Sequence, residues 1–403
     1  MNFRRLSELE VSGRRIFVRV DFNVPLGPSG EITDDSRIVA SLPTIRYLIG
    51  KGARLVLASH LGRPKGKIDP KQSLRPVHDR LEKFLREPVA FAESIVGPAA
   101  EAASRALREG GVLLLENLRF DPREEANDPE FSRALAALAD AYVDDAFGAA
   151  HRAHASIAGI TSYLSDCAAG FLLEKELAAL GKLLAGPEHP YVAILGGAKI
   201  SGKIDVLQNL LPRVDRVVIG GGMMFTFLRA QGVATGRSLV EPDRVATAKE
   251  LLADPAQARK ILLPVDCVVA EDITGSDPGR IVPVTGIPED RAGVDIGPDS
   301  LALIAEALSE ARTIFWNGPM GVFEVLRYAE GTIGVALEVA KATKRGAFTV
   351  VGGGDSLAAV KRAEVEGQIS HCSTGGGASL EFLEGKTLPG VAALETSART
   401  RTR

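Results

Sequence analysis

Cysteine is scarce. Cys167, Cys267 and Cys372 are the only three in 403 residues, odd in number, widely spaced and without a C-x-x-C pair. That excludes a disulfide framework and a cysteine-based zinc site, and it suits a reducing compartment. Long apolar runs are also missing: nothing approaches the roughly eighteen residues that a membrane span requires, and the start Met1-Asn-Phe-Arg-Arg-Leu-Ser-Glu8 has no apolar targeting core. The expectation is a cytoplasmic protein without a membrane partner. Neither sign of charge dominates, since 48 Lys and Arg face 51 Asp and Glu for a net charge of -3. This balance argues against broad binding to nucleic acid, so any anion site must be local. A G-x-G-x-x-G fingerprint is absent, which counts against a nicotinamide dehydrogenase. There is no H-R-D, and Asp144-Asp-Ala-Phe-Gly148 resembles D-F-G only loosely, so the protein-kinase set is excluded. No Ser-His or Cys-His pairing suggests a covalent nucleophile, and no repeat of solenoid spacing is visible.

What is present is ordinary globular material, 45% hydrophobic and 25% charged, in a chain longer than one core usually supports. Two domains are the default. Strand-like runs at Arg15 to Phe22, Arg54 to His60, Val112 to Glu116 and Tyr142 to Phe147 alternate with helical patterns such as Phe131 to Ala141. A second alternation follows the long helical pattern Phe171 to Ala185: Tyr191 to Leu195, Arg216 to Ile219, Ile261 to Ala270, Thr313 to Trp316 and Ala347 to Val351. Such alternation predicts an α/β fold with doubly wound, mainly parallel sheets, whose ligands lie beyond the carboxyl ends of the strands.

Those ends differ between the halves. In the first they carry Asp21 and Asn23, His60 and Arg63, Arg119, and His151-Arg152-Ala-His154, with Arg37 at a plausible helix start behind the capping acids Asp34 and Asp35. Any one arginine there could be a solvated surface charge; together they suit a small ligand bearing phosphate, carboxylate and hydroxyl groups. In the second half nearly every strand ends in glycines. Ala347-Phe-Thr-Val-Val-Gly-Gly-Gly-Asp-Ser356 predicts a strand, a turn and a helix start with bare backbone N–H groups for phosphate, although close helix packing explains such glycines equally well. Asp355 stands where it could carry Mg²⁺ bound to the same phosphates. Gly197-Ala-Lys-Ile-Ser-Gly-Lys203 narrowly misses a P-loop, with Ile204 in place of the metal-binding hydroxyl, yet Lys199 and Lys203 remain available to phosphate oxygens. His371 to Glu381 contains three successive glycines before helix formers, an anion cradle or a flexible hinge. Phe315-Trp-Asn-Gly-Pro-Met-Gly-Val-Phe-Glu324 predicts a strand turning into a helix, with Glu324 either near a ribose hydroxyl or an ordinary first-turn acid.

The segments Arg19-Val-Asp-Phe-Asn-Val-Pro25, Ser59-His-Leu-Gly-Arg-Pro64, Glu116-Asn-Leu-Arg-Phe120, Gly196-Gly-Ala-Lys199, Gly220-Gly-Gly-Met223, Phe315-Trp-Asn-Gly-Pro319, Gly352-Gly-Gly-Asp355 and Ser373-Thr-Gly-Gly-Gly-Ala-Ser-Leu-Glu381 together resemble the phosphoglycerate kinase family, in order and over almost the whole chain. The resemblance implies reversible transfer of the acyl phosphate of 1,3-bisphosphoglycerate to MgADP, giving 3-phosphoglycerate and MgATP in glycolysis, by direct in-line transfer in a usually monomeric enzyme. It implies two domains facing each other across a hinged cleft: residues 1-170 for the acid substrate, 171-186 as an interdomain helix, 187-387 for the nucleotide, and 388-403 packing back on the first. Asp21, Asn23, Arg37, His60, Arg63, Arg119 and Arg152 would bind the glycerate. Gly197, Ala198, Lys203, Gly297, Asn317, Pro319, Glu324, Gly353, Gly354, Asp355 and Ser356 would hold ADP or ATP, with Asp355 on Mg²⁺. Arg37, Lys199, Gly375, Gly376 and Gly377 would surround the phosphoryl group in flight. Ser356 departs from the family, which often has Thr there, but keeps the hydroxyl. A kinase for another carboxylic acid and a non-catalytic nucleotide-binding scaffold are the rival readings.

Overall fold

The structure, a computed structural model, describes residues 2–401. The chain forms two compact units, Met1–Ala178 with Thr387–Arg403 and Ala179–Lys386, and the division falls inside the helix Phe171–Leu184.

Unit 1 is built on six strands, β1 (Arg15–Val20), β2 (Arg54–Ala58), β3 (Val89–Ala92), β4 (Val112–Leu115), β5 (Ala141–Asp145) and β6 (Cys167–Ala169). They pair in parallel in the order β3-β4-β2-β1-β5-β6. Residues Ile16 to Val20 are buried without alternation, as a parallel sheet covered by helices on both faces requires. Ile16, Val18, Leu55, Leu57, Leu114 and Val143 share one apolar cluster, each contributing about 1.5–3 kcal/mol by burial. The edge strands β3 and β6 escape a sequence reading because they are short and alanine-rich, and β6 lies where the sequence suggested only the end of a unit. The helix Pro389–Arg401 closes this unit: Gly390 donates its N–H to Ala150 O at 2.9 Å, and Leu388, Val391 and Leu394 are buried. The last two residues of the expected tail, Thr402 and Arg403, lie outside the described residues.

Unit 2 contains β7 (Tyr191–Leu195), β8 (Arg216–Ile219), β9 (Ile261–Leu262), β10 (Asp266–Ala270), β11 (Arg280–Pro283), β12 (Ala292–Ile296), β13 (Thr313–Asn317), β14 (Phe348–Gly352) and β15 (His371–Ser373). Its main sheet is parallel, in the order β15-β14-β13-β7-β8-β9. The run Ile261 to Ala270 is two strands rather than one. Pro264 lacks an N–H for the ladder, so β9 stays at the sheet edge while β10 joins a separate antiparallel sheet, β11-β10-β12. The helix expected directly after Phe315 to Pro319 is also displaced. Gly318, Pro319 and Gly321 keep the chain irregular, and the helix Glu330–Lys344 begins only after a short turn at Leu326–Tyr328.

Candidate functional site

In unit 1 the chain leaves β1 toward β2 on one side and later returns to β5 on the other, so the carboxyl end of β1 is the point where the winding reverses. The loops there converge. Asn117, after β4, donates to Leu61 O at 2.7 Å and accepts from Leu61 N at 3.2 Å, tying the loop after β2 in place. Asn23 Oδ1 accepts from Gly62 N at 2.9 Å, and Arg119 Nη1 donates to Gly62 O at 2.7 Å. Arg37, in the first turn of the helix Ser36–Gly50, bonds Asp21 Oδ2 at 2.9 Å; its side chain is 29% exposed against 6% for the aspartate. Of the two acids expected to cap that helix, Asp34 does so, accepting Ser36 N at 2.8 Å, whereas Asp35 makes no capping bond.

The electrostatics of this rim are one-sided. Burial pushes the His60 imidazole well below its ordinary pKa, and Arg19, Arg119, Arg37 and His154 push it further. The same causes, burial first and then Arg119, Arg19 and Arg152, bring His154 down to about 3. Burial lowers Arg119 to about 10, although Glu125, with an oxygen 3.2 Å from Nε, opposes the shift. The imidazoles are therefore neutral at pH 7 while the guanidinium groups stay charged, which leaves the rim positive. Arg152 Nε donates to His151 Nε2 at 3.2 Å, and Arg63 is exposed without a hydrogen bond or ion pair among the described residues. Asp21, Asn23, Arg37 and Arg119 are thus joined by direct bonds or through Gly62, His60 and Arg152 act through charge, and Arg63 stands apart. Sequence reasoning assigned no role to Arg19, Glu124 or Ser156, which form a buried network behind the rim; an arginine between Val18 and Val20 in a fully buried strand was the signal for it.

In unit 2 the carboxyl ends of β7, β13 and β14 meet around Lys203. Its Nζ donates to Gly196 O and Asn317 O, each at 2.7 Å, and burial lowers its pKa to about 7 against the pull of Asp355. Ile204 opens the helix Ile204–Leu210 with its side chain buried, so the position that a P-loop gives to a hydroxyl belongs to the core. Ser356 Oγ accepts from Gly318 N at 2.6 Å, and Asn317 Nδ2 is buried without a hydrogen-bond partner, 3.0 Å from where a Cβ on Gly353 would stand. Asp355, in the first turn of the helix Gly354–Arg362, is exposed and its carboxylate makes no hydrogen bond among the described residues. It faces a cavity of about 470 Å³ that Gly197, Ala198, Phe225, Gly293, Pro319 and Glu324 also line. Gly293, not singled out from the sequence, is in this lining; Gly297 is instead packed against the Asp266 carboxylate at the start of the helix Pro298–Ser309. Lys199 is exposed in the loop that Glu241 holds through Ser201 N at 3.0 Å and Ser201 Oγ at 2.6 Å. Gly375 to Gly377 lie between β15 and the helix Gly377–Leu383, with open space where a Cβ on Gly376 would be.

A family model described as phosphoglycerate kinase matches residues 6–386. The chain belongs to the phosphoglycerate kinase family. A relative of that name from Moorella thermoacetica is 57% identical over 390 residues, covering 96% of this chain and 98% of its own. One from Chlorobium luteolum is 54% identical over 395 residues, 98% of this chain and 100% of its own. The solved phosphoglycerate kinase from Coxiella burnetii superposes with a TM-score of 0.87 at 40% identity, over 98% of this chain and 100% of that one. That from Pyrococcus horikoshii gives 0.88 at 34% identity, over 98% and 99%. Membership of this family makes the protein a kinase of glycolysis, catalysing reversible phosphoryl transfer between small-molecule substrates. Among the described residues no helix is long and apolar enough to cross a membrane.

Proposed function

We propose that unit 1 holds the acid and unit 2 the nucleotide: 3-phosphoglycerate or 1,3-bisphosphoglycerate on Asp21, Asn23, Arg37, His60, Arg63, Arg119 and Arg152, and ADP or ATP on the glycine-rich ends around Lys203. The observation that carries this division is the basic rim itself, whose imidazoles are neutral and whose guanidinium groups exceed the carboxylates beside them. A dianionic phosphate and a carboxylate on one small molecule supply the missing charge. An acid lacking the phosphate would leave the rim's excess of positive charge unmatched, which disfavours a kinase for simple carboxylic acids.

In the direction of ATP use, a carboxylate oxygen of the acid attacks the γ-phosphorus, the bond from γ-phosphorus to the bridging oxygen breaks, and ADP leaves with that electron pair. No protein nucleophile and no net proton are needed, so positioning and charge neutralisation carry the rate. Arg37 and Lys199 are the side-chain cations for the phosphoryl oxygens, and the Gly375 to Gly377 amides are their backbone counterparts. The free carboxylate of Asp355 fits Mg²⁺, a hard cation that keeps few protein ligands, while the Ser356 hydroxyl is already engaged. When bound with the nucleotide, the ion would neutralise charge on the β- and γ-phosphates. Glu324, which lines the cavity, would take a sugar hydroxyl. The enzyme works as a monomer in the cytoplasm, where Cys167, Cys267 and Cys372, none of them in a disulfide, stay reduced. The test is turnover with 3-phosphoglycerate and MgATP beside glycerate and MgATP. Turnover of the first and not the second is expected; equal rates, or none, would overturn the assignment.

A further inference from the structure

Behind the basic rim of unit 1 lies a chain of buried polar groups that reaches the proposed substrate positions only at His60. Glu124 is fully buried in the short helix Pro122–Glu125, an unusual place for a carboxylate. Its Oε1 accepts from Ser156 Oγ at 2.5 Å, its Oε2 from Ser156 N at 2.9 Å, and its backbone oxygen from Ala155 N at 2.9 Å. Ser156 Oγ in turn lies 2.9 Å from Arg19 Nε, and Arg19 Nη2 lies 3.1 Å from His60 Nδ1. Arg19 is 1% exposed, and among the described residues no carboxylate pairs with it directly. Asp144, its register partner on β5, is another buried acid nearby; burial pushes it up to about 6, which leaves it mostly ionised at pH 7, and it acts on Arg19 through charge without a direct bond.

Donor and acceptor roles along this chain follow from one fact: a guanidinium only donates. Ser156 Oγ must accept from Arg19, so its proton goes to Glu124, and both oxygens of Glu124 then act as acceptors, as in an ionised carboxylate. At the other end His60 Nδ1 must accept, which puts the single imidazole proton on Nε2. We propose that Glu124, acting through Ser156, is the positioning residue that neutralises Arg19 and thereby fixes the orientation and Nε2–H tautomer of His60, presenting a donor to the acid substrate. His154 Nδ1 lies 3.8 Å from Glu124 Oε1, the Tyr142 hydroxyl donates to Ser156 O at 2.9 Å, and Arg119 and Arg37 face the network through charge. Burial opposes the charge on Glu124, while Arg19 and the two Ser156 bonds favour it.

This inference rests on the proposed binding of the acid to unit 1. The variants are Glu124→Gln, which sets an amide donor against a Ser156 donor, Ser156→Ala, which cuts the relay but leaves the backbone bond to Glu124, and the double variant. Wild-type turnover is measured first; its absence would refute the function and this inference with it. Given turnover, each single variant is expected to raise KM for 3-phosphoglycerate about tenfold, as for a lost hydrogen bond to a charged group, with KM for MgATP unchanged. The double variant should be no worse than the singles, because both break one chain. Imidazole ¹⁵N shifts should show His60 leaving the pure Nε2–H form. Additive effects, equal rises in both KM values, or an unchanged His60 tautomer would overturn the proposal. If Glu124→Gln does not fold, Ser156→Ala decides by the same two readouts.

Discussion

Gly318 is where the nucleotide-side geometry is most exposed to a single methyl group. Its φ is +98°, and a Cβ added there would stand 2.3 Å from Lys203 Nζ, 2.4 Å from Gly196 O and 2.6 Å from Gly196 C. The lysine end could swing away, but Gly196 could not, since its N–H is bonded to Asn317 O at 3.0 Å where β7 leaves β13. Gly318→Ala therefore combines a backbone penalty of about 1–2 kcal/mol with about 1–3 kcal/mol of overpacking against main chain. The total is about 2–5 kcal/mol, together with displacement of Lys203 from both its carbonyls. Trp316, the only tryptophan, is fully buried and donates from Nε1 to Gly318 O at 2.8 Å, so its fluorescence reports unfolding at this spot. Urea titration followed through Trp316 should show that loss, and calorimetry should show weaker ADP binding. Gly367→Ala is the control, having open space around its Cβ position and no positive φ; it should lie within about 0.5 kcal/mol of wild type. A Gly318→Ala protein as stable as that control, with ADP affinity intact, would show that the Lys203 cradle is not rigid as described.

Lys203 should also couple nucleotide binding to protons. With its pKa lowered to about 7 it is mostly neutral above that pH, and a phosphate restores its charge, so ADP binding should take up close to one proton at about pH 8 and few at about pH 6; calorimetry in buffers of different ionisation enthalpy measures this, and Lys203→Met should abolish it. Arg37→Ala and Lys199→Ala should each lower kcat by about 10²–10³ at saturating substrates, and near-normal turnover in both would remove them from the phosphoryl site. Asp355→Asn should weaken ADP binding in the presence of Mg²⁺ and leave 3-phosphoglycerate binding unchanged; an ADP affinity that the substitution leaves unchanged, both with and without the metal, would place the ion elsewhere.

Much of the fold was legible because its signals are local. Val and Ile runs such as Arg15 to Val20 and Tyr191 to Leu195 can be little but buried strands, and their alternation with helices dictates parallel winding. The misses have local causes as well. Pro264 splits an apolar run that hydrophobicity alone joins, and β11 and β12 are too polar or glycine-rich to stand out. At the rim, arginines and histidines announce themselves by type. Glu124 did not, because Arg123-Glu-Glu125 looks like a solvated helix start until the fold buries one glutamate and exposes its neighbours. Gly293 was missed for a related reason: nothing in Ala292-Gly-Val-Asp-Ile-Gly297 says which glycine faces the cavity and which packs against Asp266.

The helix Pro389–Arg401 has a bearing on how the molecule is made. It belongs to the unit that begins the chain, with Glu395 accepting the Asn2 N–H at 2.7 Å, and all of unit 2 is threaded between. During synthesis the six strands of the first unit emerge before unit 2, yet Ala150 O and the apolar surface covered by Leu388, Val391 and Leu394 must wait until those residues, beyond unit 2 in the chain, are translated. Unit 2, contiguous from Ala179 to Lys386, has everything it needs the moment it clears the ribosome. Of the two units, the one begun earlier is thus finished later.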